Sequence, residues 1–309
     1  MTYTDLLTDD LLLTDAGLET VLVFHEGIDL PHFAAFPLLD DEEGRAALRR
    51  YYEPFLALAA DHGAGFILET PTWRANRDWG ARLGYSPADL RRVNADAVAL
   101  ARDLALGWAG SGRVLVSGAV GPRGDGYVPG AMMTSEEAAA YHRPQIRTFA
   151  EAGADLVTAL TLSYVEEAVG VVAAAAEAGI PSVVGFTVET DGRLPSGTTL
   201  GEAIGQVDAA TGSAAAWFAV NCAHPEHIAH GFPAEDEPWQ SRIGALRANA
   251  SRQSHAELDE AEVLDDGDPV DLARGYVDLG ARLPAVRVLG GCCGTDVRHV
   301  SALAGAWGR

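Results

Sequence analysis

Basic residues, long apolar runs and secretion signals are all scarce or missing in this sequence. Only 22 Lys and Arg stand against 44 Asp and Glu, which gives a formal charge of -22. Such a chain repels phosphate backbones and anionic lipid, so we expect no nucleic acid partner and no membrane partner. No run approaches the roughly 18 apolar residues of a membrane span. The acidic stretch 1–15 lacks the basic segment and apolar core of a secretion signal, which predicts a cytoplasmic protein.

Cysteine is also scarce, with three residues at positions 222, 292 and 293. An odd number with two adjacent members argues against a disulfide framework and predicts reduced thiols. Nucleotide-binding loops are missing as well. The Gly-containing stretch 121–126 has neither the G-x-G-x-x-G spacing nor the Lys-Ser/Thr pair of a phosphate loop. The sequence therefore gives no support to a nucleotide cofactor.

Short apolar runs rich in β-formers alternate with Ala-rich segments of helical spacing, which is typical of repeated βα units. The eight runs are Leu11–Thr14, Gly65–Thr70, Arg113–Val120, Ala154–Thr161, Pro181–Thr187, Ala216–Cys222, Arg242–Ala248 and Ala285–Gly291. The helical segments between them include Glu42–His62, Ser86–Gly107 and Ser135–Ala152. Eight repeats without a linker predict an α/β fold, a (β/α)8 TIM-type barrel that forms a single domain over residues 1–309.

Unusual residues stand where the predicted strands end. In this fold the active site lies at the carboxyl ends of the strands, so such residues indicate chemistry more than packing. They are Asp15, Glu69-Thr70, Gly118, Thr161, Thr187, Asn221-Cys222, Asn249 and Cys292-Cys293. All three cysteines of the chain belong to this set.

The positions of the cysteines predict a metal site. Cys222 ends the sixth run, and Cys292 and Cys293 end the eighth, so one strand separates them in the barrel. Zinc prefers thiolate sulfur, and three protein ligands with one open position are typical of a catalytic zinc site. Flanking glycines allow two adjacent thiolates to face one ion. We therefore expect Cys222, Cys292 and Cys293 to bind Zn²⁺.

The three cysteines also allow other interpretations. Buried cysteines can meet by chance, because Cys is among the most buried residue types. A disulfide between the adjacent Cys292 and Cys293 would be strained. A metal set of Cys222 with His224 and His227 is disfavoured, because Pro225 is expected to open a helix whose exposed first turns carry the histidines.

At this point the motifs resemble a known family. Val-Asn-Cys at 220–222 and Gly-Gly-Cys-Cys-Gly-Thr at 290–295 are similar to the zinc motifs of the homocysteine S-methyltransferase family. Thr14-Asp15-Ala16-Gly17 and Glu69-Thr70-Pro71-Thr72-Trp73 resemble two further family segments, and the similarity covers nearly the whole chain. The resemblance implies that Asp15, Gly17 and Thr70 surround the bound amino-acid thiol and that Asn221 supports the site.

One departure from the family concerns the substrate's amino group. The family usually has a glutamate at the end of its fourth strand, where this chain has Leu160. A charge-assisted contact of that kind is worth ~1.5–3 kcal/mol. Glu19, Glu69 and Glu189 are candidates to replace it; otherwise the acceptor is a different thiol.

The resemblance implies a zinc-dependent S-methyltransferase that moves a methyl group to the thiolate of homocysteine and gives methionine. The partners would be a small-molecule thiol acceptor and a methyl donor. A cationic donor that becomes neutral on transfer is expected, with the sulfonium S-methylmethionine favoured. Aromatic residues able to hold such a cation are Phe24, Trp73, Tyr127 and Tyr164.

Several alternatives stay open at this stage. They are another thiol acceptor, a betaine-type donor, a non-catalytic zinc- or thiol-binding protein, and an acceptor subunit that needs a separate donor protein. The polar segment Arg247–Asp259 either recognises a carboxylate, caps the donor or is a solvated loop.

Overall fold

Eight parallel strands close into a barrel in the computed structural model, which describes residues 10–261 and 263–307. The strands are β1 (Leu12–Leu13), β2 (Gly65–Glu69), β3 (Val114–Val120), β4 (Leu156–Leu162), β5 (Ser182–Phe186), β6 (Trp217–Asn221), β7 (Ile243–Ala248) and β8 (Val288–Gly291). Each strand pairs with its neighbours in sequence, and β1 closes the barrel by pairing with both β2 and β8. The predicted barrel is confirmed, and each of the eight predicted runs corresponds to one strand, with β4 extending one residue beyond its run.

Helices surround the strands and alternate with them. They are α1 (Leu18–Thr20), α2 (Glu42–Asp61), α3 (Arg77–Arg82), α4 (Pro87–Leu106), α5 (Ser135–Ala152), α6 (Val165–Ala178), α7 (Leu200–Thr211), α8 (Pro225–His230), α9 (His255–Asp259), α10 (Pro269–Gly280) and α11 (Val297–Ala306). A π-helical turn at Val21–His25 and 3-10 turns at Pro31–Phe33, Phe36–Asp40 and Pro238–Arg242 complete the regular structure. The three predicted helical segments are confirmed.

Local sequence explains where the longer helices begin. Ser86 accepts a hydrogen bond from the backbone N–H of Asp89, whose carboxylate accepts one from the Ser86 N–H, and Pro87 occupies the first turn. Thr134 makes the equivalent reciprocal pair at the start of α5. Such capping boxes satisfy backbone donors that the helix itself leaves unpaired, so they fix the first residue of the helix.

The core has two layers, as a closed barrel requires. An inner cluster fills the barrel with side chains from the strands, among them Leu12, Ile67, Leu156 and Trp217. A larger cluster lies between the strands and the helices. Strand residues are therefore buried on both faces, which is why the runs are apolar rather than alternating. No helix in the described ranges is both long enough and apolar enough to span a membrane.

The absence of a secretion signal is predicted from residues 1–15. The first nine of these lie outside the described residues.

Candidate active site and metal centre

The three cysteines meet at the carboxyl end of the barrel. Cys222 directly follows β6, and Cys292 and Cys293 directly follow β8. The three sulfur atoms lie within 4.8 Å of one another, and Cys222 is buried. Within residues 10–261 and 263–307, no other set of three His, Cys, Asp or Glu side chains converges in this way. The structure thus brings together the three residues that the sequence predicts as metal ligands.

The Cα atoms of Cys222 and Cys292 are 5.4 Å apart, which is within the range that a disulfide requires, and Cys293 is not part of this contact. Side chains that converge on one point from two loops come within bonding reach of each other whether they share a metal ion or a disulfide. The presence of reduced thiols therefore stays a prediction. Since the thiolate is the metal ligand, the three cysteines can hold an ion together only in the reduced form.

The donor set fits zinc. Three sulfur atoms face one point beside a cavity, which leaves a side open for a small ligand, as catalytic zinc sites require. The backbone is shaped to allow this, because Cys222 has a left-handed φ of 54° and Gly294, after the cysteine pair, has a φ of 76°. A left-handed φ is uncommon for a residue with a side chain and is retained only where surrounding contacts hold it.

Two side chains bond to the Cys222 backbone, and two more hold one of them in place. The Cys222 carbonyl oxygen accepts hydrogen bonds from His255 Nε2 at 2.8 Å and from Thr187 Oγ1 at 3.1 Å. The other ring nitrogen of His255 lies 3.0 Å from Glu189 Oε1, which orients the ring. The ring of Tyr127 stacks on His255 with centroids 4.0 Å apart. Part of the polar segment Arg247–Asp259 therefore supports the metal centre.

The alternative histidines are arranged differently from the sequence expectation. Pro225 opens α8 as predicted, with His224 as its N-cap. His224 and His227 are nevertheless 4% and 9% exposed, so the prediction that they lie on exposed turns is wrong. They pack against neighbouring elements, and burial lowers the pKa of His224 to about 4.

A cavity of about 420 Å³ adjoins the cysteines. Its walls include the four residues predicted to bind substrate, Asp15, Gly17, Thr70 and Asn221. The volume falls within the range of small-molecule sites. All seven predicted site residues therefore border one space at the expected end of the barrel.

The side chains of Thr70 and Asn221 form hydrogen bonds with other strands. The Thr70 hydroxyl accepts from the Ala119 N–H at 2.9 Å and lies 2.7 Å from the Thr72 hydroxyl. Asn221 makes two hydrogen bonds with Thr161, one to its backbone N–H and one to its hydroxyl. Both side chains thus fix the ends of strands around the cavity, and their contact with substrate stays a prediction.

Gly17 allows two loops to approach each other closely. A Cβ at this position would lie 2.6 Å from the Cys292 carbonyl oxygen and 2.3 Å from Thr20 Oγ1. Only glycine fits between the loop after β1 and the loop that carries the cysteine pair.

Asp15 forms a buried ion pair with Arg247, at 2.7 Å between Oδ1 and Nη2. Tyr51 donates to its other oxygen at 3.1 Å. Burial raises the pKa of Asp15, while Arg247 opposes this effect. Sequence reasoning missed the pair, although an arginine inside the buried strand β7 was a signal, since a buried charge requires a partner.

The three candidate replacement acids lie in different places. Glu69 is 5% exposed and lines the cavity, and burial raises its pKa to about 7. Glu19 also lines the cavity, and burial raises its pKa to about 7 as well. Glu189 is held by His255. Leu160 lines the cavity and brings no charge to it.

The aromatic candidates for a donor cation are only partly available. Phe24, Trp73 and Tyr127 line the cavity. One face of Trp73 is covered by the chain's own cation, since the Arg74 guanidinium carbon lies 4.6 Å from its ring centroid. Tyr164 is buried and accepts a hydrogen bond from the Met133 N–H, so it serves the scaffold.

Comparison with known proteins agrees with this site. A sequence model of the family described as homocysteine S-methyltransferase matches residues 12–307. The fold is similar to crystal structures of the homocysteine methyltransferase MmuM from Escherichia coli. The metallated form has a TM-score of 0.71 at 21% identity and covers 96% of each chain, and the oxidized form has 0.73 at 22% identity and covers 99% of each chain. No curated protein matches the sequence significantly. Because the family model spans nearly the whole chain, the protein belongs to the homocysteine S-methyltransferase family and is a methyltransferase.

Proposed function

We propose that the protein is a zinc-dependent S-methyltransferase that moves a methyl group from a sulfonium donor, S-methylmethionine by preference, to the thiol of homocysteine and gives methionine. The observation that carries the proposal is the convergence of Cys222, Cys292 and Cys293 beside a cavity of about 420 Å³. Family membership supports the same reaction class.

The three cysteines would hold the ion once reduced. A thiol of ordinary pKa near ~8.5 is mostly protonated at neutral pH, and zinc held by these residues would favour its nucleophilic thiolate form. The thiol proton leaves to solvent, so no general base is required from the chain.

Methyl transfer itself needs alignment more than acid–base help. The thiolate sulfur forms the new S–CH₃ bond as the S⁺–CH₃ bond of the donor breaks, and the electron pair stays on the departing sulfide, which becomes neutral. The chain's contribution is to hold both reactants in line in a space shielded from water. Phe24 and Tyr127 border this space and offer aromatic surface to a cationic donor.

The fixed geometry around the cavity supports this positioning role. Asn221 ties the end of β6 to Thr161 at the end of β4. Gly17 allows the loop that carries Cys292 to pack closely against the loop after β1. Rigid supports of this kind maintain the near-attack arrangement on which the rate of such a displacement depends.

A second candidate is the same chemistry with another thiol. It is favoured by Leu160, which stands on the cavity wall where the family usually has an acid. A betaine-type donor is a further variant of the reaction. The cytoplasmic location stays a prediction from sequence.

The test is methyl transfer by protein that has been reduced with a phosphine and loaded with zinc. A phosphine is preferred because a thiol reductant could itself accept methyl groups. S-Methylmethionine and homocysteine are supplied, methionine is measured by mass spectrometry, and a panel of other thiols and donors is run in parallel. Cys292→Ala is the control, since it removes one metal ligand.

Homocysteine turnover that is lost in Cys292→Ala would support the proposal. Turnover with another thiol alone would favour the second candidate. Bound zinc without turnover on any thiol or donor would contradict both.

A further inference from the structure

The cavity contains two buried side chains of opposite charge whose polar atoms are not all used. Glu69 is 5% exposed and Arg247 is 6% exposed. Glu69 Oε2 and Arg247 Nη1 have no hydrogen-bond partner. The nearest approach is 3.8 Å between Arg247 Nη1 and Glu69 Oε1, which is longer than a hydrogen bond. A buried polar atom without a partner costs about 1–3 kcal/mol, so a ligand able to satisfy both atoms would be stabilised here.

We propose that Glu69 and Arg247 bind the α-amino acid head of the acceptor, with Glu69 accepting from the ammonium group and Arg247 Nη1 donating to the carboxylate. The inference rests on the proposed transfer to a thiol and names how its substrate class is recognised. A free carboxylate oxygen and a free guanidinium N–H side by side are complementary to a zwitterion.

The remaining acids near the cavity are less suited to this role. Both oxygens of Asp15 are already engaged, by Arg247 and Tyr51. Glu189 is held by His255. Leu160 has no charge to offer. Glu19 and Asp125 also line the cavity and are only partly buried, so they are the competing carboxylates.

Arg247 also connects this pair to both metal loops. Its carbonyl oxygen accepts from the Cys222 N–H at 3.1 Å. Its Nε donates to the carbonyl oxygen of Gly291, directly before Cys292, at 3.1 Å. An amino acid head bound at Arg247 therefore lies next to the loops that carry the sulfur ligands, as a short thiol side chain such as that of homocysteine requires.

The protonation of Glu69 would respond to an ammonium ligand. Burial raises its pKa to about 7 against the opposing effect of Arg247. A bound ammonium group would favour the ionised carboxylate, as an opposite charge within a few ångströms does.

The experiment measures binding of methionine, the product, so that head recognition is separated from thiol and metal chemistry. Calorimetry compares methionine with 4-(methylthio)butanoate, which lacks the ammonium group, and 3-(methylthio)propylamine, which lacks the carboxylate. Each charge-assisted contact is worth ~1.5–3 kcal/mol, so each analogue should bind about 10- to 100-fold more weakly than methionine. Glu69→Gln should weaken the binding of methionine by a similar factor and leave the affinity for 4-(methylthio)butanoate unchanged.

Equal affinity for the three ligands in the wild-type protein would overturn the proposal, whatever the variant does. A loss of methionine affinity in the matched variant Glu19→Gln, but not in Glu69→Gln, would also overturn it. Turnover is measured in parallel. Tighter binding of methionine than of both analogues, together with no methyl transfer to any thiol, would contradict the proposed function. It would still support the recognition of an amino acid by Glu69 and Arg247.

Discussion

Replacing Gly17 with alanine should damage the metal centre without adding or removing any polar group. The new Cβ would lie 2.6 Å from the Cys292 carbonyl oxygen. Ordinary contact begins near 3.4 Å, so the two loops must separate by about 0.8 Å. The Thr20 hydroxyl can move only by giving up its hydrogen bonds with the Gly17 carbonyl and the Gly294 N–H, and the Cys292 carbonyl oxygen belongs to the backbone and moves only with the loop.

That displacement exceeds the roughly ±0.2 Å within which metal–ligand distances are held. We expect zinc affinity to fall by about 10- to 100-fold, comparable to the loss of groups that orient ligands. Zinc affinity is measured by competition with a chromophoric chelator on phosphine-reduced protein, and thermal unfolding is followed separately.

Gly205→Ala is the matched control. This glycine lies within α7, and a Cβ there would meet nothing within 4 Å. The control should keep its zinc affinity and gain about 0.5–1 kcal/mol of stability, because alanine is a better helix former. Unchanged zinc affinity in Gly17→Ala would refute the reasoning that the two loops are in obligatory contact.

Three further changes test the buried charges and the support of the cysteines. The pKa of Glu69, raised from 4.5 to about 7, means that its stabilising effect is complete below pH 4.5 and is lost as the pH rises through about 7. Between these pH values the free energy of unfolding should fall by up to about 3 kcal/mol because of this group, and Glu69→Gln should remove that part of the fall in denaturant titrations. An identical fall in the variant would contradict the assignment. Arg247→Met leaves Asp15 buried without its partner and should cost about 3–5 kcal/mol of unfolding free energy. Adding Asp15→Asn should recover part of the loss, and strictly additive losses would show that the pair is not coupled. His255→Ala removes a hydrogen bond to the Cys222 carbonyl and should lower zinc affinity about tenfold; unchanged affinity would exclude a positioning role.

The fold could be predicted because its signal is local and repeated. Each apolar run corresponds to one strand, since a parallel barrel strand is buried on both faces and is therefore mostly apolar. The segments of α2, α4 and α5 could be predicted from helical spacing, and the structure shows that cap residues such as Ser86, which act over three or four positions, fix where they begin. Topology then placed the ends of β6 and β8 near each other.

The parts of the site that sequence reasoning missed depend on contacts between residues that are far apart in the sequence. Nothing in the spacing of Asp15 and Arg247 indicates that they form an ion pair across the barrel mouth. The same holds for the contact of His255 with the Cys222 carbonyl. The prediction that His224 and His227 are exposed was wrong because the first turn of α8 packs against neighbouring elements. Such packing is set by the tertiary structure.

The shortest strand has a consequence for how the active protein is made. β1 has two residues and is paired on both sides only when β8 is present. β8 must therefore be synthesised before the first strand gains its second partner, and this long-range closure favours slow completion of folding. Cys292 and Cys293 follow that same last strand. A prematurely terminated or clipped chain would lose the closing partner of β1 and two sulfur ligands together, so bound zinc in a purified sample would report on intact, fully folded molecules.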